Sequence, residues 1–561
     1  MKDAGRDDPS PETSAEAEGP QRGLRWAQVG IACVLGLILL GFWVYVDFVR
    51  PAPFYTIKYD PEMPYFMNSL ATFKSQPYEY VDHPGTPVEL IGTGILGIIK
   101  AARGLPSDEF VPWVIAHPEV FVRWVHGLLA AGSGVGIALM VLIGRPVSRW
   151  RDLIAAASAA GLFFAVHSPY ALDTVAYWSH NSFAFPAGTL ILFLLWVRLR
   201  RAEALQLWEL ILWGALAGML MAVQLYFATW IVGIALALGT LVGLRAGNVL
   251  RGVAAGLAVG AASGAGFLAA TQAVLHRYRD LFWWIKGLAL HQGRYAGGPP
   301  GLTSVSRMRD NFAELWSQGG ETVLAASLAI LVLTAAAMIA RRRYVLSDPG
   351  WWAAALGGSA QLLLTTLLIL KHPGQVYLLG LAAILPVLFL LLVESLPRTR
   401  WAGTLVGMAA LVVGVGFVLS VAQSVVAHQR RLQRAAAAEM EIGQVVETYA
   451  GAIGRPVDDI TILWGYGTPS RCFALRFGNT YVGGLFGGEI RGVCPREWIF
   501  NVRDQVAELP GETLPLDSTD NWDVLVILER NLNESTSGFD VALRSLETGL
   551  AYLVRSEVRL P

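Results

Sequence analysis

The chain has 561 residues, of which 54% are hydrophobic and 15% are charged, and its mean hydropathy is +0.47. Soluble globular domains carry about 25% charged residues, so this composition is typical of a membrane protein. The 43 basic and 43 acidic residues cancel, and this balance argues against a nucleic-acid-binding protein, which would need a concentrated basic face.

Residues 1–24 are polar, rich in Pro, Glu, Asp, Ser and Gly, and have no hydrophobic period. Such a segment cannot bury enough apolar surface to offset the loss of chain entropy, so we predict a disordered cytoplasmic tail. The apolar run at 26–46 follows Arg22 and Arg25 and is too long for the core of a signal peptide. It therefore predicts a first membrane span with its amino end in the cytoplasm.

Because a helix needs roughly 20 apolar residues to cross a bilayer, the uncharged runs predict α-helical spans. Ten further runs bring the predicted number of spans to eleven: 119–144, 152–170, 182–199, 205–223, 226–244, 251–275, 321–340, 351–370, 375–393 and 401–423. Arg-rich loops then face the cytoplasm, in agreement with the positive-inside rule. If the run at 88–103 also crossed the membrane, all later Arg-rich loops would face outward. We therefore place this run in the membrane interface as an amphipathic helix.

This topology divides the chain into the tail, a transmembrane domain at 25–424 and an extracytoplasmic domain at 425–561. Large outer loops fall at 47–118 and 276–320. From residue 431 onward there are 12 Arg, no Lys and 18 acidic residues, a net charge of −6.

The sequence of the C-terminal domain predicts a small α/β fold. Strand-like runs at 460–464, 522–528 and 552–558 alternate with helix-like runs at 470–477 and 539–546. An Ala-rich helix at 429–450 links this domain to the last span. Cys472 and Cys494 lie 22 residues apart within it, and we predict a disulfide between them in an oxidising compartment.

Two glycine patterns in the sequence do not indicate a catalytic site. The GxGxxG match at 92–97 follows no strand and lies in an apolar helix, so it is a chance match to the dinucleotide-binding motif. Glycines recur every four residues in 252–264, which places them on one helix face and predicts close helix packing. The sequence contains no ATP-binding loop motif and no convincing His/Cys metal cluster.

The most informative region is the first outer loop. Asp60 and Glu62 follow the first span closely, and the sequence Tyr-Val-Asp-His-Pro at 80–84 precedes the interfacial helix. In this arrangement the chain resembles the GT-C class of polytopic glycosyltransferases, such as protein O-mannosyltransferases and lipid A aminoarabinose transferases. In that resemblance Asp60 matches the first acid, Glu62 replaces an adjacent second acid, and Asp82 and His83 match an acidic–basic pair.

The resemblance covers roughly 27–395 and extends to four further residues. Arg123 matches a recurrent arginine at the outer start of a span, and Asp173 lies where many members have a second acidic residue. Lys371 and His372 open a late span that resembles a basic–Tyr–Leu–Pro stretch. By analogy the fold is GT-C-like, and the reaction moves a sugar, with inversion, from a polyprenyl-phosphate donor to an extracytoplasmic lipid, polysaccharide or protein.

The chemistry of such a transfer needs the residue types found here. A carboxylate must accept the proton of the acceptor hydroxyl, and cations must hold the departing phosphate. We assign Asp60 as the base and Glu62 as its partner or as a ligand of Mg²⁺ or Mn²⁺. Asp82, His83, Arg123, Asp173, Lys371 and His372 would surround the substrate.

Structural alternatives stand beside these assignments. The acids of the first loop could form a solvated pair, Asp173 could cap a loop, and the basic residues at span ends could only anchor the chain in the interface. A group of basic residues on the outer side breaks the positive-inside bias and suggests an anionic partner: Arg277, Arg279, Lys286, Arg294, Arg307 and Arg309.

The expected location is a bacterial inner membrane, with the C-terminal domain outside the cytoplasm. Two rival functions are a transporter or flippase of lipid-linked saccharides and a non-catalytic factor in envelope polysaccharide assembly. A flippase would be marked by intramembrane charges and broken helices in matching halves. The spans are nearly free of acidic residues, which favours the enzyme.

Overall fold

The computed structural model describes residues 11–57, 59–77, 86–143, 149–166, 172, 174–292, 298–301, 303–397, 399–465, 468–495, 497–501, 506–509, 512–515, 522–529 and 539–558. Within these ranges the chain is mostly helical and ends in a domain with one small sheet. Asp82, His83, Asp173 and Arg294 lie outside the described residues.

The first half of the chain begins with a long helix and continues with ten further helices among the described residues. These helices are α1 (Pro11–Val44), α2 (Phe54–Ile57), α3 (Tyr59–Phe73), α4 (Thr86–Arg103), α5 (Ser107–Ala116), α6 (Pro118–Ile143), α7 (Trp150–Val166), α8 (His180–Leu199), α9 (Leu207–Val223), α10 (Ala228–Ala246) and α11 (Val249–Ala270). A π-helical turn, Tyr45–Val49, extends α1.

The second half continues with helices of very different lengths and ends in the C-terminal domain. Its helices are α12 (Tyr278–Leu290), α13 (Val305–Leu315), α14 (Glu321–Ala340), α15 (Pro349–Lys371), α16 (Leu379–Ala382), α17 (Leu385–Ser395), α18 (Arg400–Ile453), α19 (Arg471–Thr480) and α20 (Gly487–Val493). Short 3₁₀ turns at Leu225–Phe227 and Gln375–Leu378 precede α10 and α16.

Nine helical stretches of the described chain are long and apolar enough to cross a membrane. They coincide with nine of the eleven predicted spans. The other two predicted spans are also helical over most of their described residues, and α7 and α9 have 17 described residues each. The stretch Gln375–Ser395 is the most buried of the nine, and it lies at the centre of the helical bundle.

The amino-terminal helix begins at Pro11, within the segment at 1–24 for which the sequence predicts disorder. This segment carries several Ala, Glu and Gln residues, which have high helix propensity, whereas Gly19 and Pro20 in its interior are unfavourable for a helix. The segment also continues directly into the apolar span. The helix of the span can therefore extend outward without a new nucleation step.

The glycine-rich face of α11 approaches its neighbour over only part of its length. A Cβ atom at Gly252 would lie 2.7 Å from the carbonyl oxygen of Gly239 on α10, so bare backbone is needed there. Gly256 approaches α10 less closely, whereas a Cβ atom at Gly260 or Gly264 would meet no heavy atom within 4 Å among the described residues. The predicted close packing therefore holds for the first two of the four glycines.

The last span and the C-terminal domain share one continuous helix. Helix α18 runs for 54 residues, from Arg400 to Ile453, and ends at Gly454 in the left-handed conformation (φ 67°). The boundary expected at 424/425 falls inside this helix. The linking helix predicted at 429–450 is therefore an uninterrupted extension of the span.

The described part of the C-terminal domain contains seven strands: β1 (Ile462–Gly465), β2 (Glu497–Asn501), β3 (Val506–Leu509), β4 (Glu512–Pro515), β5 (Val524–Leu528), β6 (Phe539–Arg544) and β7 (Leu550–Arg555). Their order in the sheet is β4-β3-β2-β1-β5-β7-β6. The three central strands are parallel and the outer pairs are antiparallel. This agrees with the expected α/β fold.

One predicted helix in this domain is a strand. Residues 539–546 were expected to be helical, but Phe539–Arg544 forms β6 and pairs with β7 in antiparallel register, Phe539 opposite Arg555. The strand lies at the sheet edge, with Phe539 buried and the next three residues exposed. Its conformation is stabilised by pairing with β7, the next strand of the same hairpin.

Candidate functional site

The acidic motif of the first loop lies where helix α3 begins. Asp60 and Pro61 have non-helical dihedral angles, with φ −103° and ψ 114° at Asp60, so the regular helix starts at Glu62. A residue before proline favours extended backbone, which explains the break. The Asp60 residue is exposed, and its carbonyl oxygen accepts a hydrogen bond of 2.6 Å from the Tyr177 hydroxyl.

Glu62 has the opposite environment and is completely buried. Its Oε1 atom accepts a 2.9 Å hydrogen bond from the backbone N–H of Trp178 and lies 2.8 Å from Nε2 of His126. Its Oε2 atom has no partner among the described residues. Tyr177 binds the backbone of Asp60, and the next residue, Trp178, binds the side chain of Glu62. The same short segment therefore fixes the position of both acidic residues.

His126 connects Glu62 to a second buried acid. Its Nδ1 atom lies 3.2 and 3.1 Å from the two carboxylate oxygens of Asp47. His126 is fully buried on α6, and Asp47, in the π-helical turn after the first span, is 6% exposed. The three side chains therefore form a buried chain, Asp47–His126–Glu62, which we call the acid–histidine–acid chain.

Arg123 flanks this chain. It lies one turn before His126 on α6, is partly buried, and places its guanidinium 5.8 Å from the ring centre of Phe48, the neighbour of Asp47. A guanidinium over an aromatic ring makes a favourable cation–π contact. Arg123 is thus held near the acidic motif at the same end of the helical bundle.

Helix α4 packs closely on α3 and adds another buried acid. A Cβ atom at Gly92 would lie 2.2 Å from the Ser69 hydroxyl, and this hydroxyl donates to the carbonyl of Glu89 (3.1 Å). Gly92, the first glycine of the GxGxxG match, therefore serves helix packing. The Glu89 carboxylate is buried without a partner among the described residues, and this burial raises its pKa well above the usual range.

Lys371 and His372 contact backbone carbonyls at the end of helix α12. The Lys371 ammonium donates to the carbonyls of Leu288 (2.9 Å) and Ala289 (2.5 Å), and Nε2 of His372 lies 3.0 Å from the carbonyl of Leu288. These contacts satisfy carbonyls that a helix leaves unpaired at its carboxyl end. Lys371 thus has a structural role in fastening α12 to the end of α15.

The same two residues line a cavity of about 190 Å³. Gln224 forms part of its wall; the residue is 1% exposed, and neither atom of its side-chain amide has a partner among the described residues. Tyr226 and Tyr377 stack at 4.4 Å between ring centres on another side, and Trp284 of α12 also lines the cavity. An unpaired amide beside aromatic rings suits a ligand that carries hydroxyl groups.

A second, apolar cavity of about 430 Å³ lies between α6, α7 and α8, with Ile91 of α4 at its wall. Its lining is aliphatic and aromatic apart from the hydroxyls of Ser133, Ser182 and Thr189. A cavity of this size and polarity can hold part of an apolar chain.

The outer basic residues make contacts within the chain. Arg277 pairs with Asp280 (2.8 Å), Arg307 donates to the side chain of Gln292 (3.4 Å), and Lys286 lies 4.3 Å from the ring centre of Trp283. Arg309 is 3.3 Å from Asp310 and Arg279 is exposed. Arg294 of this group lies outside the described residues.

The described residues include no group of three or more His, Cys, Asp or Glu side chains arranged to hold a metal ion. Oε1 of Glu62 is already engaged by His126 and Trp178, so Glu62 fits an anchoring role better than that of a metal ligand. The metal site proposed from Asp60 and Glu62 thus finds no support in the donor arrangement.

The C-terminal domain covers helix α3. A Cβ atom at Gly478 of α19 would lie 2.7 Å from the carbonyl oxygen of Met63, one residue after Glu62, and Lys74 lies 3.7 Å from Glu489 of α20. A disulfide joins Cys472 to Cys494, with 5.8 Å between their Cα atoms. It ties α19 to the end of α20, so the docking surface is cross-linked.

Several residues of the site were not identified from sequence. Asp47, His126, Glu89 and Gln224 are buried polar groups, and His180, whose Nδ1 lies 2.8 Å from the Tyr65 hydroxyl, is another. His126 lies inside a predicted span, and an ionisable residue there is a signal of function that could have been used.

Comparisons with known proteins do not identify the chain. No protein-family model matches it, and no curated protein matches it significantly.

Proposed function

We propose that the chain is a GT-C type glycosyltransferase of a bacterial inner membrane. It would move one sugar, with inversion, from a polyprenyl-phosphate donor to an acceptor outside the cytoplasm. The observation that carries the proposal is the contrast between exposed Asp60 and buried Glu62 at one end of an apolar helical bundle. The Asp60 backbone is fixed by Tyr177, and fixed placement is what a general base requires.

In the proposed reaction Asp60 accepts the proton of the acceptor hydroxyl as that oxygen attacks the anomeric carbon of the sugar. The bond between this carbon and the phosphate oxygen breaks, and the electron pair leaves with the polyprenyl phosphate. The new glycosidic bond forms on the opposite face, which inverts the configuration. Glu62 is assigned an anchoring role because both contacts of its Oε1 atom hold it in the protein interior.

Three features support a lipid-linked substrate. Arg123 provides a guanidinium beside the acidic motif, and such a group pairs well with phosphate. The apolar cavity between α6, α7 and α8 suits a stretch of the isoprenoid chain. The cavity at Gln224 suits hydroxyl groups of a substrate, with Lys371 and His372 forming its wall through their contacts with α12.

The test is transfer by purified full-length protein in liposomes supplied with radiolabelled undecaprenyl-phosphate mannose or glucose and an envelope lipid extract as acceptor. Asp60→Asn keeps the side-chain size but cannot take the proton, so kcat should fall roughly 10²–10⁴-fold. Asp108→Asn is the matched control, because Asp108 is an exposed acid of the same loop in α5, and it should retain normal activity.

Normal transfer by Asp60→Asn would remove Asp60 from the mechanism. Movement of intact donor across the bilayer without any transfer would favour a flippase over the enzyme.

A further inference from the structure

The acid–histidine–acid chain lies in the protein interior. His126 and Glu62 are fully buried, and Asp47 is nearly so. The acid–histidine–acid chain links three separate elements. Asp47 ends the first span, His126 belongs to α6, and Glu62 starts the regular part of α3. Such an arrangement fixes elements that are far apart in sequence.

The proton count follows from the contacts. Each ring nitrogen of His126 faces a carboxylate oxygen, at 2.8 Å on the Glu62 side and at 3.1–3.2 Å on the Asp47 side. A nitrogen lone pair facing a carboxylate would be repelled, so each of the two contacts needs a hydrogen. A ring protonated on both nitrogens between two carboxylates meets this need and leaves one net negative charge on the chain.

The position of the acid–histidine–acid chain matters because Glu62 is two residues from Asp60. The Trp178 N–H and the His126 ring hold the Glu62 carboxylate from two directions, while Tyr177 holds the Asp60 carbonyl. Tyr177 and Trp178 are adjacent in sequence, so the acid–histidine–acid chain can orient the Asp60 backbone through them.

We infer that His126 is a positioning residue that acts through Glu62, and that Asp47 keeps the His126 ring protonated on both nitrogens. The kinetic part of this inference rests on the proposed function, whereas the protonation of the ring does not. His126 itself does not touch the reacting atoms.

Two substitutions of His126 test the contacts of its two ring nitrogens separately. The amide nitrogen of glutamine falls near the position of Nε2 and that of asparagine near Nδ1. His126→Gln therefore keeps a donor toward Glu62, and His126→Asn keeps one toward Asp47 only. We expect His126→Asn to lower kcat about 10- to 100-fold with little change in donor KM, because misplaced catalytic geometry costs this much. His126→Gln should recover most of the loss.

The second measurement needs no activity. In ¹⁵N-histidine-labelled protein in nanodiscs, the His126 resonances are assigned by their absence in His126→Gln. At neutral pH they should show both ring nitrogens protonated, and this signature should disappear in Asp47→Asn and in Glu62→Gln. Both variants are close in size to the native side chains.

A singly protonated, neutral ring in the wild-type protein would overturn the inference, and so would equal kcat losses in His126→Asn and His126→Gln. If the wild-type protein transfers no sugar from any donor, the proposed function fails and the ¹⁵N spectra alone decide the inference.

Discussion

The contact between Gly478 and helix α3 allows a sharp test of how the C-terminal domain is docked. A Cβ atom at position 478 would lie 2.7 Å from the carbonyl oxygen of Met63, 2.8 Å from its carbonyl carbon and 3.0 Å from its Cβ atom. Two of these atoms are backbone and cannot rotate away. Gly478→Val should therefore cost about 2–3 kcal/mol of docking free energy, the upper part of the range for overpacked sites.

The measurement is hydrogen–deuterium exchange in nanodiscs on peptides that cover α3 and α19. A loss of about 2 kcal/mol should speed exchange through undocking roughly thirtyfold. Gly488→Val is the matched control, because Gly488 is exposed on α20 and a Cβ atom there meets no heavy atom within 4 Å. Its effect should stay within about 0.5 kcal/mol. Equal protection of α3 in the two variants would refute the docking argument.

Three further predictions concern stability and orientation. Replacing Cys472 and Cys494 by serine should lower the free energy of unfolding by roughly 3 kcal/mol, the chain-entropy value for a 22-residue separation, and unchanged denaturation midpoints would contradict it. Burial raises the pKa of Glu89, so its stabilising contribution is present below about pH 4.3 and is lost as pH rises toward the raised folded-state value. Glu89→Gln should therefore raise Tm relative to wild type more at pH 8 than at pH 5, and equal Tm differences at both pH values would count against this account. Alkaline phosphatase fused after Pro561 should be active and one fused after Arg201 inactive, and the reverse pattern would place the acidic motif in the cytoplasm.

The sequence was a good guide wherever a single local property determines the structure. Long apolar runs predicted the helices of the bundle because length and hydropathy are properties of the run itself. The segment 539–546 was predicted wrongly although its large apolar residues at 539, 541 and 543 have the period of two that is typical of a strand. Its pairing with Leu550–Arg555 in a hairpin agrees with that period.

The candidate site was only partly predictable from the sequence. Asp60 and Glu62 could be identified because they form a short motif after the first span. The contact of His126 with Asp47 joins residues 79 positions apart, and no local pattern predicts it. The ammonium of Lys371, which the sequence assigned to the substrate site, contacts the carbonyls of Leu288 and Ala289, and this pairing depends on how α12 folds back on the bundle.

Helix α18 has a mechanical consequence. At 1.5 Å per residue, its 54 residues span about 80 Å, whereas the hydrocarbon core of a bilayer is about 30 Å thick. If the apolar part of α18 crosses a bilayer, roughly 50 Å of the same helix extends beyond it and acts as a lever. A tilt of about 10° at the membrane would move its far end by roughly 9 Å. Because α19 packs tightly on α3, a movement of the far end of α18 would also move the acidic motif. A change in bilayer thickness that alters the tilt of α18 would therefore change the position of the motif.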